Sequence, residues 1–253
     1  MLFRSNGLLT RFVTILNRIA LKKAKVVFFE NEANRDIFIS KGIVREEQTH
    51  VLHGAGVDLD RFAYQEYPKD EEDGIRFLFI GRIMKEKGID ELLEAIKELR
   101  KEGYNCSLDV LGDYEEPEYE PIFKSLVSED WFRYHGSQDD VRPFIGRAHC
   151  FVLPSYHEGM ANTNLECASS GRPIITSDIP GCREAVTENV SGILCKPKDA
   201  NSLHNAMKKM IGLSNEERKT MGVAGRQRME EIFDKKKVVK ETIACIQEME
   251  TEW

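Results

Sequence analysis

Residues 150–177 read CFVLPSYHEGMANTNLECASSGRPIITS, and their reading decides the fold. Cys150 to Leu153 is a short apolar run of strand composition. A loop carrying Pro154 and Gly159 follows, then a helix-forming stretch from Thr163 closed by Gly171, and Pro173 opens a second apolar run. The same beat continues on both sides: strand-like runs start near Ile75, Ser107, Phe132, Cys150, Pro173 and Gly192. Between the first two, Ile89, Leu92, Leu93, Ile96 and Leu99 recur at helical spacing, and Asp139-Asp140 precede a helical Val141-Arg-Pro-Phe-Ile145. Short apolar strands alternating with helices predict an α/β domain with a doubly wound parallel sheet, covered on both faces. Three helices, near 200–211, 215–232 and 236–250, are predicted to finish the chain.

The chain of 253 residues suffices for one large domain or two small ones, and 41% hydrophobic with 31% charged residues is globular composition. No apolar run approaches the ~20 residues of a membrane-spanning helix. The longest, Gly7 to Ala24, is interrupted by Arg11, Arg18, Lys22 and Lys23. Cys106, Cys150, Cys167, Cys182, Cys195 and Cys245 show no C-x-x-C spacing and read as reduced, mostly buried thiols of a cytoplasmic protein. A net charge of −7 argues against a nucleic-acid partner.

Before the regular pattern, Lys25 to Glu30 and Thr49 to His53 read as strands, 31–42 as a helix closed by Gly42, and Gly54-Ala-Gly-Val-Asp58 as a turn. Residues 64–74 (YQEYPKDEEDG) are polar and make the best domain boundary. Residues 75–235 can form a complete doubly wound domain. Residues 1–63 offer too little for a second one and would leave an apolar strand edge at Val26 to Phe29 open. Residues 1–29 contain no acidic residue, while Arg4, Arg11, Arg18 and Lys25 recur every seven positions, one drifting stripe on a helix. Leu8, Leu9, Phe12, Ile15, Leu16 and Ile19 cover the other side. Two readings stand: an amphipathic helix packed on a sheet, or a basic helix (4–25) lying near anionic lipid or an anionic acceptor.

Ligands of doubly wound domains bind outside the carboxyl ends of the strands. After the first strand comes Gly81-Arg82-Ile-Met-Lys85-Glu-Lys87-Gly88: two glycines bracket a tight turn and two cations suit a diphosphate. It lacks the G-x-G-x-x-G and P-loop patterns. The second such loop carries Glu158, Gly159, Met160, Ala161 and Asn162, with Glu166 seven residues beyond the first carboxylate. A helix start presents free N–H groups, an anion site. Glu166 lies about one turn inside, ~6 Å along the axis at ~1.5 Å per residue. It is placed to accept two hydrogen bonds from a ribose-like diol, while Glu158 accepts hydroxyls beyond the diphosphate. Asp139-Asp140 read as a helix cap, and His53, His135, His149 and His157 have no ligand spacing, so no metal site is expected. Arg183-Glu184 pair locally or turn Arg183 to the cleft.

These residues carry a resemblance. Gly81-Arg82 with Glu86-Lys87-Gly88, Asp139-Asp140-Val, Leu153-Pro-Ser-Tyr-His-Glu158-Gly with Glu166, Gly171-Arg-Pro-Ile-Ile-Thr-Ser-Asp and Gly181-Cys-Arg-Glu-Ala-Val resemble the family-four retaining glycosyltransferases of GT-B fold, group 1 glycosyl transferases of the capsular polysaccharide and O-antigen type. The resemblance covers essentially the whole chain. It implies a metal-independent transfer, with no cofactor, of a sugar from a nucleotide-sugar donor, expected to be a UDP-sugar, to a saccharide or polyprenyl-diphosphate-linked acceptor at the inner face of the membrane. It also implies that Gly81, Arg82 and Lys87 hold the diphosphate and Glu158 the sugar. The amides of Gly159, Met160, Ala161 and Asn162 would meet phosphate and sugar, and Glu166 the ribose, with Glu158, Arg82 and Lys87 as the catalytic set.

Of the family's amino-terminal acceptor domain, the glycine-rich loop and the histidine have no counterpart here, and residues 1–63 resemble only its closing helices and strands. The expectation is therefore a remnant of that domain over 1–67, a donor-binding domain over 68–235, and a terminal helix over 236–253 packing back toward the amino-terminal part. Such a chain would be inactive alone, self-associating or completed by a missing amino-terminal half. The alternative function is a non-catalytic donor-binding half, a truncated product or a subunit of a split enzyme; a nucleotide-sugar epimerase fits the motifs less well.

Overall fold

The computed structural model describes residues 7–69 and 74–251; Arg4 of the basic stripe and the acidic run 70–73 of the linker lie outside the described residues. The chain begins with α1 (Leu8–Leu21), β1 (Val27–Phe29), α2 (Glu32–Ser40) and β2 (Thr49–Val51). The two strands pair in parallel, Val27 opposite Thr49 and Phe29 opposite Val51. Phe29, Ile43 and Val44 form a small core, with Leu21, Val27, Phe38 and Ile39 packed against it. Asn31 starts α2 by accepting the Asn34 amide at 2.9 Å, an N-cap. The run Val26 to Phe29, expected to stand open, thus pairs on one side.

One expectation is corrected here. Among the described residues no sheet covers the apolar side of α1: Leu8, Leu9, Phe12, Ile15, Leu16 and Ile19 are all exposed, and Thr10 is the buried residue of the helix. The reason is size. Strands of three residues reach ~10 Å, half the ~21 Å length of this helix.

Beyond the linker follow β3 (Ile75–Ile80), α3 (Ile89–Lys101), β4 (Cys106–Leu111), α4 (Tyr119–Leu126), β5 (Phe132–Tyr134), α5 (Arg142–Arg147), β6 (Cys150–Leu153), α6 (Asn162–Ser169), β7 (Ile174–Ser177), β8 (Gly192–Cys195), α7 (Ala200–Gly212), α8 (Asn215–Arg228) and α9 (Lys235–Thr251). Six parallel strands run in the order β5-β4-β3-β6-β7-β8. The order reverses between β3 and β6, the switch point at which such sheets bind ligands. Helices on both faces explain why the strands read as unbroken apolar runs: Phe77, Leu78 and Phe79 are fully buried, and each full burial is worth ~1.5–3 kcal/mol. α3 buries Ile89, Leu92, Leu93, Ile96 and Leu99 and packs on α7.

The helix predicted over 215–232 ends at Arg228 and widens into a π turn, Met229–Phe233. That turn buries both Met229 and Phe233, and aims Phe233 O at Val57 N, 2.7 Å away. Lys235 N in turn donates to Val57 O at 3.0 Å, so the chain end is laced to the segment after β2. From α9, Glu241 reaches His50 Nε2 at 3.0 Å. Arg172, fully buried in the Gly171-Arg-Pro motif, donates to Gln65 O and Glu66 O at 2.9 Å and fixes the linker to the sheet.

Candidate functional site

The site is assembled where β3 and β6 lie side by side, Phe77 opposite Cys150 and Leu78 opposite Phe151. The loop after β3 begins at Gly81, whose amide donates to Leu111 O at 3.0 Å. Gly112, at φ +134°, lets the β4 loop approach: a Cβ there would stand 1.9 Å from Gly81 O. A 3-10 turn, Lys85–Lys87, then ends at Gly88, whose φ of +74° starts α3. A Cβ on Gly88 would lie 2.2 Å from Pro154 O, so the loops after β3 and β6 touch backbone to backbone. The Tyr156 amide joins them by donating to Glu86 O at 2.8 Å.

This contact brings together two residues 71 positions apart. Lys87 Nζ donates to Glu158 Oε1 at 2.6 Å, and Ser155 Oγ donates to the same oxygen at 2.7 Å. Both charged side chains are mostly buried, 19% and 12% exposed. Glu158 Oε2 has no partner among the described residues. Arg82 stands apart: it is exposed, and its guanidinium faces Glu115 at 3.4 Å.

Behind Glu158 the loop is held from below. Gly181, at φ +89°, accepts the Ala161 amide at 2.7 Å, and a Cβ there would press within 2.6 Å of Glu158 O and Gly159 O. Glu184 accepts the Gly181 amide at 2.8 Å, while Arg183 pairs with Asp178 at 2.9 Å, the local reading of that pair. Ala161 is therefore the cap of α6, with its N–H already spent. The amides of Gly159, Met160, Asn162 and Thr163 take no acceptor among the described residues. Within α6, Asn164 is buried and its side-chain Nδ2 donates to Thr176 Oγ1 at 3.1 Å, which anchors the helix to β7. Glu166, one turn in, is half-buried; burial raises its carboxyl above the ordinary range, partly offset by the Arg61 guanidinium.

The amino-terminal part supplies an opposite wall. Asn31 Nδ2 donates to Gly159 O at 2.6 Å, and Met160 seats on Gly54, where a Cβ would be 2.6 Å from Met160 Cγ. The Glu30 carboxylate lies beside Gly159, 2.5 Å from where a Cβ there would stand. Glu30, Asn31, Arg61, Glu115 and Ser155 were not singled out in the sequence. The strand-end rule applied to β1 would have found Glu30 and Asn31, and Ser155 lies three residues before Glu158. Nothing local marks Arg61 or Glu115.

Asp140 accepts the Arg142 amide at 3.1 Å and pairs with that side chain, but α5 starts at Arg142 with Val141 as its N-cap and no side-chain cap bond, so the expected Asp139-Asp140 cap is corrected: the helix begins one residue too late for it. Among the described residues, no three His, Cys, Asp or Glu side chains gather as a metal centre. The arrangement sets the unclaimed amides at the start of α6 close to Lys87, with the carboxylates of Glu158 and Glu166 at either end.

Residues 60–228 match the model of the glycosyl transferases group 1 family. A capsular polysaccharide biosynthesis glycosyltransferase of Staphylococcus aureus, CapM, is 26% identical over 87% of this chain and 60% of its own length. The N,N'-diacetylbacillosaminyl-diphospho-undecaprenol alpha-1,3-N-acetylgalactosaminyltransferase of Campylobacter jejuni is 30% identical over 79% of this chain and 54% of its own. The chain thus spans between half and two thirds of these relatives. Among solved structures, sucrose-phosphate synthase from Thermosynechococcus elongatus superposes with a TM-score of 0.81 at 20% identity, over 99% of this chain and 65% of its own. Anabaena HepE, solved with UDP, superposes at 0.79 and 18% identity, over 93% of this chain and 68% of its own. These neighbours share the GT-B fold, as the strand order and the paired loops anticipate. By its matched residues, its six-stranded sheet and its likeness to these enzymes, the chain belongs to the group 1 glycosyl transferases.

Proposed function

We propose that the cleft at Lys87, Glu158 and α6 binds a nucleotide sugar, most specifically a UDP-sugar, for retaining transfer to a saccharide or polyprenyl-diphosphate-linked acceptor in surface polysaccharide synthesis. The observation that carries this reading is the set of unclaimed amides at Gly159, Met160, Asn162 and Thr163, with Lys87 beside them and a carboxylate at each end. The diphosphate lies on the amides, with Lys87 and, once released from Glu115, Arg82 neutralising it. Glu166 takes the ribose diol. Glu158, through its open Oε2, takes sugar hydroxyls. The complexes of HepE with UDP and UDP-glucose and the diphospho-undecaprenol acceptor in the Campylobacter relative's name support the donor and acceptor classes.

In transfer, charge grows on the departing diphosphate, and preorganised N–H groups and cations stabilise it best. In this reading the α6 amides and Lys87, joined by Arg82 once it leaves Glu115, do that work without a metal ion or cofactor. In this reading the open Oε2 of Glu158 accepts sugar hydroxyls instead of attacking the sugar, so retention proceeds without a glycosyl-enzyme intermediate on this carboxylate. Residues 68–235 form the donor-binding unit in this reading, with 7–67 on the acceptor side. Five buried free thiols suit a reducing compartment, and we place the protein in the cytoplasm.

A second reading, donor binding without transfer by this chain alone, is favoured by one observation: among the described residues the facing wall contains two short strands, with Glu30 and Asn31 at its rim. Calorimetry with UDP, GDP and ADP in EDTA tests the donor site: UDP binding supports the proposal, and no binding of any nucleotide refutes it. Product formation from UDP-sugar and a lipid-linked acceptor then separates the two readings.

A further inference from the structure

Asn31 stands between β1 and α2 and is 3% exposed. Both ends of its carboxamide are used. Oδ1 accepts the Asn34 amide at 2.9 Å, the N-cap of α2, and Nδ2 donates to Gly159 O at 2.6 Å, 128 residues away. One partner is a donor and the other an acceptor, so the two together fix which way the carboxamide faces. Ser and Asp cap helices as well as Asn does, but neither adds an N–H to the capping oxygen. The cap therefore does not account for an asparagine here. The bond to Gly159 does.

The bonded carbonyl lies in the loop between Glu158 and α6. The Gly159–Met160 peptide is trans and planar, so its C=O and N–H point in opposite directions. With Gly159 O tied to Asn31, the Met160 N–H is aimed away from the β1–α2 wall, and it takes no acceptor among the described residues. One residue on, the Ala161 amide donates to Gly181 O at 2.7 Å, so the loop is pinned on both sides of Met160. The Met160 side chain is itself buried and seats on Gly54. Gly159 is the weak point of this arrangement: a glycine admits either orientation of the peptide that follows it. Among the described residues its carbonyl is held by Asn31 alone. Turned over, the same peptide would present an oxygen where an N–H stood, and an oxygen repels phosphate.

We propose that Asn31 is a positioning residue of the donor site: by holding Gly159 O it keeps the Met160 N–H turned to the donor diphosphate. The role rests on the donor-binding reading above. Its test uses Asn31→Ser, which keeps a capping oxygen but stops one bond short of Gly159 O, and Asn31→Ala, which loses cap and contact together. Calorimetry should find UDP bound ~tenfold or more weaker by both variants, the range of one charge-assisted bond to phosphate. Asn31→Ser should nevertheless melt ~2–4 °C above Asn31→Ala, because it retains the cap. Labelling the 8 methionines with 15N gives a simple amide spectrum, in which Met160→Leu assigns Met160. In the parent, UDP should move the Met160 amide proton downfield, as an N–H taken up by phosphate does, and in Asn31→Ser that shift should be lost. A Met160 amide unmoved in a parent that binds UDP, Asn31→Ser binding UDP like the parent, or affinity losses that follow the thermal midpoint would overturn the role and leave the donor site standing. No UDP binding by the parent would remove the donor reading, and the role of Asn31 with it.

Discussion

Glu158→Gln and Glu166→Gln should separate sugar recognition from nucleotide recognition. Glu158 Oε1 is held by Lys87 at 2.6 Å and Ser155 at 2.7 Å, which leaves Oε2 for incoming hydroxyls. A glutamine keeps an acceptor for Ser155 but loses the charge that fixes Lys87. With the side chain 12% exposed, a hydroxyl bond to this carboxylate falls in the charge-assisted range, ~1.5–3 kcal/mol, or roughly 10- to 150-fold in affinity. Glu158→Gln should therefore weaken a UDP-sugar by that factor. UDP, with no group at Oε2, should bind as before or tighter, since Lys87 is released toward the phosphate. Glu166→Gln should cost UDP and UDP-sugar alike, again ~1.5–3 kcal/mol, and cost 2′-deoxy-UDP much less. Calorimetry with UDP, 2′-deoxy-UDP, UDP-glucose and UDP-N-acetylglucosamine reads these differences, and thermal midpoints check that each variant is folded. Equal losses for every ligand in both variants would refute the division of labour.

Three further outcomes are expected. Arg82→Ala/Lys87→Ala should weaken UDP binding in EDTA by roughly 2–4 kcal/mol, whereas Glu115→Gln, which frees Arg82, should tighten it up to ~fivefold; weaker binding after Glu115→Gln would contradict the pairing. Gly88→Ala, with φ at +74° and a Cβ 2.2 Å from Pro154 O, should destabilise by ~1–3 kcal/mol or more and lower the melting midpoint by several degrees, while Gly212→Ala, with open space around it, should not; equal midpoints would sink the close-approach argument. Burial raises the Glu166 carboxyl, so the folded chain holds that proton more tightly than the unfolded chain; its contribution to stability is present below the ordinary carboxylate range and is lost as pH rises through the raised value. A diol that donates to the ionised form reverses this, so UDP-sugar affinity should rise with pH through that window and release a proton, measurable by calorimetry in buffers of different ionisation enthalpy; Glu166→Gln should flatten the profile, and an unchanged profile would remove Glu166 from the ribose site.

The alternation of strands and helices from Ile75 onward was legible from residue order alone, because a strand buried on both faces must be an unbroken apolar run and a covering helix must repeat near 3.6 residues. Residue order also located the loops after β3 and β6, since glycines at tight turns and carboxylates beside a helix start are local signals. Contacts across long stretches of chain emerge only on folding: Lys87 on Glu158 over 71 residues, Asn31 on Gly159 over 128, Arg82 against Glu115, and Arg61 near Glu166. Each depends on which strands become neighbours, and no periodicity records that. α1 shows the same limit: its pattern states which residues share a face but not which way that face turns, and here a two-stranded sheet too short to cover it leaves the apolar arc outward.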